Sequence, residues 1–283
     1  ITTGCLVRQQ EPSVSETLPS GYFSENIGSA LAICVPTKKL TYDPNRQMPV
    51  HYFATPDTYM MHTFTTGGMC LRWFRDVFCQ DEISMQELTD IDAYDLLNKE
   101  VDRTPAGADG LIMLPHLQGS LAPDVNLNAK GVFYGMTLQH KKPHFARAIM
   151  ESLGYLICRN LEAIEAMGLE VKEIRTMGGG SKSDTWNQIK ADMLGCKSAT
   201  LENAQGAVLT DAVIAAYAVG DLEDPSQVFE KTRKIKKIYE PDPIRTKYYR
   251  SIYEQQRKLI KDDMAAVFET LHQISKIQEQ SND

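Results

Sequence analysis

The second half of the chain alternates strand and helix with glycine at the reversals, and this order constrains the fold more than any other feature. Residues 171–177 read as a strand, Gly178-Gly179-Gly180-Ser181 as a turn, and 184–194 as a helix closed by Gly195. Residues 198–201 read as a second strand and 206–219 as an apolar helix ending at Gly220. This β–α–β–α order brings two parallel strands side by side with helices packed over them. The first third is β-rich instead. Segments 2–7, 30–36 and 59–64 read as strands, and 67–78 as a helix with apolar residues at 70, 71, 74, 77 and 78. Strands running into a helix in this way predict an antiparallel meander entering an α/β layer. Between the halves, the spacing predicts a helix over 86–99, a buried strand over 110–115 and a Pro/Asn/Gly-rich loop over 119–130. A short strand over 132–136 and the longest helix, over 144–167, follow. The tail from Pro225 reads as charged and helical, interrupted at Pro241 and Pro243.

Composition narrows the function classes. In 283 residues, 30 Lys and Arg stand against 37 Asp and Glu, a net charge of −7, which argues against a nucleic-acid partner. The basic run at 231–237 sits among acidic residues and reads as a solvated helix face. No apolar run is long enough to span a bilayer, so no membrane partner is expected. Six cysteines, at 5, 34, 70, 79, 158 and 196, make no Cys-x-x-Cys pair and read as buried thiols of a reduced, cytoplasmic protein. The histidines lack the His-Glu-x-x-His spacing, Pro143 separates His140 from His144, and no protein-held metal is expected. The chain opens Ile1-Thr2-Thr3-Gly4-Cys5-Leu6-Val7, without an initiator Met and already strand-like, as if cut within a larger protein.

Chemistry enters at glycine. Gly178-Gly179-Gly180-Ser181-Lys182-Ser183 follows a strand and opens a helix, placing bare backbone at a helix N-terminus, where anionic or nucleotide ligands are often held. A Walker A loop needs Gly where Ser181 stands, and a dinucleotide fingerprint needs Gly or Ala where Ser183 stands. Taken alone, the segment also reads as a tight strand-to-helix turn. Thr2-Thr3-Gly4 at a strand end and Thr65-Thr66-Gly67-Gly68 at a helix start are two further small, hydroxyl-bearing turns. Three such turns can converge on one polyphosphate, with backbone N–H groups and hydroxyls as donors.

Together these segments resemble the C-terminal domain of the FGGY carbohydrate kinases, and within that family the xylulokinases. The most specific match is Gly131-Val132-Phe133-Tyr134-Gly135-Met136, seven further residues, then His144-Phe145-Ala146-Arg147-Ala148-Ile149-Met150-Glu151. It fits the family's second signature at every defined position. Residues 1–7 look like the family's second phosphate strand, 66–76 like its Gly-Gly…Trp-x-Arg-Asp helix, and 177–195 like its adenosine motif. The resemblance covers residues 1–222 and implies an α/β actin-like ATPase (ribonuclease H-like) domain, a mixed sheet with helices on both faces. A helical extension over 223–283 follows. ATP and Mg²⁺ are the implied cofactors. Thr2, Thr3 and Gly4 would contact the ATP phosphates, with Thr3 on the γ-phosphate, and Gly68 and Arg72 would lie near the phosphates or ribose. Gly178, Gly179, Gly180 and Ser183 would surround the adenosine. For Arg72, an ion pair with a neighbouring acid on the helix surface is the competing reading.

The resemblance also implies a small sugar as acceptor, most nearly the pentulose xylulose. The aspartate that deprotonates its hydroxyl belongs upstream of Ile1, and no acid in this chain takes that role. Asp184 and Asp211 read as helix-start and helix-face residues. The chain therefore reads as the nucleotide-binding half of a kinase, inactive without its other half. A homodimer is common in the family. Two departures keep a non-catalytic binding module open. Gly119-Ser120-Leu121-Ala122-Pro123 stands where many members have Gly-Glu-Arg-x-Pro, and Gln205-Gly206 where Glu-Gly is common.

Overall fold

The computed structural model describes residues 22–38, 40–53, 58–202, 206–224, 228, 234–260 and 264–281. The strand expected over 2–7 lies outside them. Strands β1 (Tyr22–Ile27) and β2 (Ala30–Thr37) form an antiparallel hairpin across Gly28-Ser29. Strands β3 (Val50–Tyr52) and β4 (Tyr59–Thr66) extend it on the β2 side, both in antiparallel register. Helices α1 (Met69–Phe78), α2 (Gln80–Thr89) and α3 (Ala93–Asp102) follow. Strands β5 (Ile112–Pro115) and β6 (Gly131–Tyr134) pair separately and lead into α4 (Lys142–Ala166). The alternating half supplies β7 (Glu173–Met177), α5 (Asp184–Leu194), β8 (Lys197–Leu201) and α6 (Gly206–Val219). Strand β9 (Ile235–Tyr239), α7 (Pro243–Leu259) and α8 (Ala265–Ser281) complete the order.

Of the expected meander, the segments at 30–36 and 59–64 pair antiparallel as β2 and β4; the expected parallel pair forms as β7 and β8, and β1 joins the two halves. Strand β7 lies parallel to β1 on one side and to β8 on the other, giving the order β3-β4-β2-β1-β7-β8-β9. Strand β1, central to this sheet, is absent from the sequence reading. Its Ser24 and Glu25 are buried although polar, because a central strand is covered on both faces. Two further expectations need correction. The single helix over 86–99 is two: Asp90 ends α2 with φ 58, and the Asp92 carboxylate caps α3 by accepting from the Tyr94 N–H at 2.8 Å. A left-handed residue and a capping carboxylate end one helix and begin another without disturbing the apolar spacing. The tail is not wholly helical either, since Ile235–Tyr239 continues the sheet antiparallel to β8.

Helix α4 is the spine of the core. Its Ile149, Leu153, Ile157 and Ile164 join Phe23, Ile27, Leu31 and Ile33 of the first hairpin in one apolar cluster. Its buried Arg147 and Glu151 are paired, whereas the buried Tyr155 hydroxyl has no partner among the described residues. Arg147 Nε donates to Glu151 at 2.7 Å, and its other nitrogens donate to the carbonyls of Val101 and Thr104 and to the Tyr249 hydroxyl. Tyr249 in turn donates to Glu151 at 2.7 Å, as does the Gly107 N–H at 3.0 Å. A satisfied network of this kind locks α3, α4 and α7 in one arrangement. The Trp186 indole N–H reaches the Met150 carbonyl at 3.1 Å and fastens α5 to the same helix. Cys34, Cys70 and Cys79 are buried thiols outside any disulfide, and burial pushes Cys70 up to about 12, so they act as packing groups. No described helix is long and apolar enough to cross a membrane.

His116, directly after β5, is 5% exposed, and its Nδ1 has no partner among the described residues. Burial lowers its pKa from 6.5 to about 4, so the folded chain keeps the ring neutral. The unfolded chain binds that proton as pH falls below its own pKa. The stabilising contribution is therefore complete above about pH 6.5 and is lost as pH falls toward about 4. Urea unfolding at pH 7 and pH 4.5 should show His116→Phe losing about 2 kcal/mol less than the parent chain across that interval. Equal losses in both would contradict the buried neutral ring.

Candidate functional site

Three turns meet at the ends of β1, β4 and β7, with Gly28-Ser29 in the middle. The Gly67 and Met69 N–H groups both donate to the Ser29 carbonyl at 3.2 Å, and the Gly68 N–H donates to the Gly28 carbonyl at 2.9 Å. A helix leaves its opening amides without internal partners, and here the hairpin carbonyls supply them. The approach is close: a Cβ on Gly68 would stand 2.5 Å from the Gly28 carbonyl oxygen. From the other side, Gly178 holds φ 79 and ψ −169 at the end of β7, a conformation open essentially to glycine alone. A side chain there would collide with Asn26 Oδ1 and the Ile27 carbonyl. A Cβ on Gly180 would stand 2.8 Å from Ile27 Cγ2. Gly179 differs, because its nearest neighbour, the Ile27 carbonyl, is 4.0 Å away.

The triple-glycine turn passes directly into α5. Ser183 caps that helix by accepting from the Trp186 N–H at 3.1 Å, and its hydroxyl donates to Asn98 Oδ1 on α3 at 3.0 Å. Ser181 Oγ donates to the Gly178 carbonyl at 2.7 Å, and the Asn187 amide donates to the Ser181 carbonyl at 2.9 Å. A hairpin turn is thus held between the N-termini of two helices, both positive dipole ends. With the α1 amides taken by the hairpin, it is the positive dipole ends, rather than free N–H groups of α1, that would face the anionic groups of a phosphate chain.

Behind the turns lies a closed charge pair. Lys190 Nζ on α5 donates to Glu25 Oε2 on β1 at 2.7 Å, with both side chains at 0% exposure. The Thr176 hydroxyl donates to the same oxygen at 2.8 Å and lies 3.3 Å from Ser198 Oγ. Burial pulls the Lys190 ammonium downward, opposed by Glu25. Glu25 is closed off from any ligand or cation. Among the described residues, no group of three or more His, Cys, Asp or Glu could hold a metal.

The structure brings Gly68, Gly178, Gly179 and Gly180 together around Gly28-Ser29. Thr2, Thr3 and Gly4 lie outside the described residues. Ser183 borders the triple-glycine turn, with its hydroxyl already engaged on both sides. Arg72 is exposed on α1, where its N–H donates to the Gly68 carbonyl at 3.0 Å. It has no ion pair among the described residues; the pair on that helix is Arg75 with Asp76. The residues missed in the sequence are Gly28 and Ser29. The available signal was a Gly-Ser pair between two strand-length segments, which marks a two-residue hairpin.

Residues 33–219 match the model of the FGGY family of carbohydrate kinases, C-terminal domain. The chain belongs to the FGGY family. Among its relatives, the gluconokinase of Bacillus licheniformis is 37% identical over 158 residues, 56% of this chain and 31% of that protein. The xylulose kinase of Staphylococcus epidermidis is 29% identical over 243 residues, 83% of this chain and 47% of that protein. The crystal structure of ligand-bound xylulose kinase from Lactobacillus acidophilus superposes with a TM-score of 0.76 at 26% identity, covering 89% of this chain and 49% of that one. The FGGY chain thus spans about half the length of these relatives, or less. Its fold is the α/β actin-like ATPase (ribonuclease H-like) fold expected from the sequence.

The glycine contacts separate two otherwise similar substitutions. In chemical denaturation, Gly68→Ala should lose at least about 2 kcal/mol by forcing the hairpin away from α1. Gly179→Ala should lose less than about 1 kcal/mol. Equal losses would contradict this account of the turns.

Proposed function

We propose that this chain is the ATP-binding half of a sugar kinase that transfers the γ-phosphate of ATP to a hydroxyl of a pentulose or related sugar, most nearly xylulose. The carrying observation is the convergence of the Gly67-Gly68 and Gly178–Gly180 turns on the Gly28-Ser29 hairpin, in a chain of the FGGY family. In this reading, residues 1–222 are the ATP-binding domain and 223–283 an extension. The hairpin and the start of α5 face the phosphates, and Gly179 and Gly180 let adenosine approach bare backbone. Thr2, Thr3 and Gly4 contact the phosphates, with Thr3 on the γ-phosphate. Gly68 and Arg72 flank the phosphates or ribose, and Ser183 borders the adenosine.

Phosphoryl transfer of this kind depends on positioning and on neutralising phosphate charge. Mg²⁺ would enter with the phosphates, since the described residues offer it no ligand cluster. The base and most of the sugar pocket lie outside this chain, so the chain alone is inactive. The xylulose reading rests on the resemblance of the sequence motifs to xylulokinases, and gluconokinase and autoinducer-2 kinase are also among the relatives. The same reading puts the protein in the cytoplasm and is compatible with a homodimer. A second reading, a nucleotide-binding module without catalysis, is favoured by Ser120-Leu121 and Gln205 at positions where kinases of the family commonly carry charged residues.

Two measurements test the proposal. The isolated chain should bind MgATP and show no turnover across a panel including xylulose and gluconate; turnover would contradict the division of labour. In a protein carrying both halves, Thr3→Ala and Gly179→Leu should each reduce kcat/KM for ATP at least about 100-fold while sparing sugar binding. Unchanged ATP kinetics in both would overturn the assignment, and an inactive parent that still binds ATP would favour the second reading.

A further inference from the structure

We infer that Glu25 and Lys190 form a positioning pair that holds the Gly28-Ser29 hairpin in register with helix α5 and thereby sets nucleotide affinity. The inference rests on the nucleotide reading of the three turns. The pair bridges the two elements that form that site. Glu25 precedes Asn26 and Ile27, the residues against which Gly178 and Gly180 pack. Lys190 lies two helical turns beyond Ser183, on the same face of α5, and so fixes the helix whose N-terminus opens at the glycines. Thr176 ties the pair to β7, the strand that ends at the triple glycine, by donating to Glu25 Oε2 at 2.8 Å. Its hydroxyl reaches Ser198 on β8 at 3.3 Å. One buried carboxylate oxygen therefore references β1, β7 and α5 to a common point.

Energetics favour positioning over simple stabilisation. Glu25 Oε2 accepts from both Lys190 and Thr176, whereas Oε1 is buried with no partner among the described residues. A buried ion pair must offset the desolvation of two charges, and well-packed apolar replacements are often equally or more stable. An incompletely satisfied pair is a weaker stabiliser still. What it supplies that apolar packing does not is direction. Hydrogen bonds to one oxygen fix distance and angle, whereas apolar contact is non-directional and tolerates sliding between β1 and α5. The pair sits where such sliding would shift the close contact of the glycine turn with Asn26 and Ile27.

The test compares the 283-residue chain with the double variant Glu25→Leu/Lys190→Met, measuring melting temperature and MgADP affinity by calorimetry. The expected result is a melting temperature at or above the parent's with a Kd for MgADP raised at least tenfold. Thr176→Val serves as a second, milder variant that keeps both charges; its Kd should rise about threefold with little change in melting temperature. A folded double variant with parental affinity would overturn the inference, as would unchanged affinity in Thr176→Val should the double variant fail to fold. A parent chain that does not bind MgADP would remove the nucleotide reading itself, and the positioning role with it.

Discussion

The rest of the site depends on a two-residue hairpin held by its own carbonyls. Gly28 and Ser29 present their oxygens to the opening amides of α1, so the start of that helix is fixed by β1 and β2. The same hairpin excludes side chains at Gly178 and Gly180, so the start of α5 is fixed by it as well. Two helix N-termini are thereby aimed at one place by the hairpin backbone and by Asn26 and Ile27 just before it. This requires glycine on both sides of the hairpin, and it explains why the glycines of two distant segments act as one structural unit.

The sequence and the structure divide their information unevenly. The parallel β7–β8 pair and α5 are legible because glycine punctuates them and their apolar residues keep the expected periods. Strand β1 is not, because its central position buries Ser24 and Glu25, and a polar strand carries no period-two apolar signal. Its charge is matched by Lys190, 165 residues later, a partner no local pattern can indicate. The break between α2 and α3 is hidden for a similar reason, since it rests on one left-handed Asp90 and one capping Asp92.

The most specific motif in the sequence also does something other than bind ligand. The segment running from Gly131 to Glu151 forms β6, a turn and the first part of α4. Its Arg147 and Glu151 close a buried network with Tyr249 and the backbone of residues 101–107. The motif therefore identifies the family through packing, whereas the candidate ligand-binding chemistry lies in short turns with little side-chain content. Family membership is accordingly clearer than the site from sequence alone. The acceptor sugar is less clear still, because the residues expected to read it belong to the other half of such kinases.

Amide hydrogen exchange of the chain with and without saturating MgATP reads whether nucleotide meets the three turns. Exchange should slow in peptides covering residues 26–31, 67–72 and 178–183, with little change across 112–134 or helix α8. Slowing confined to those latter segments, or no change at the hairpin when MgATP is bound, would contradict a nucleotide site at the three turns.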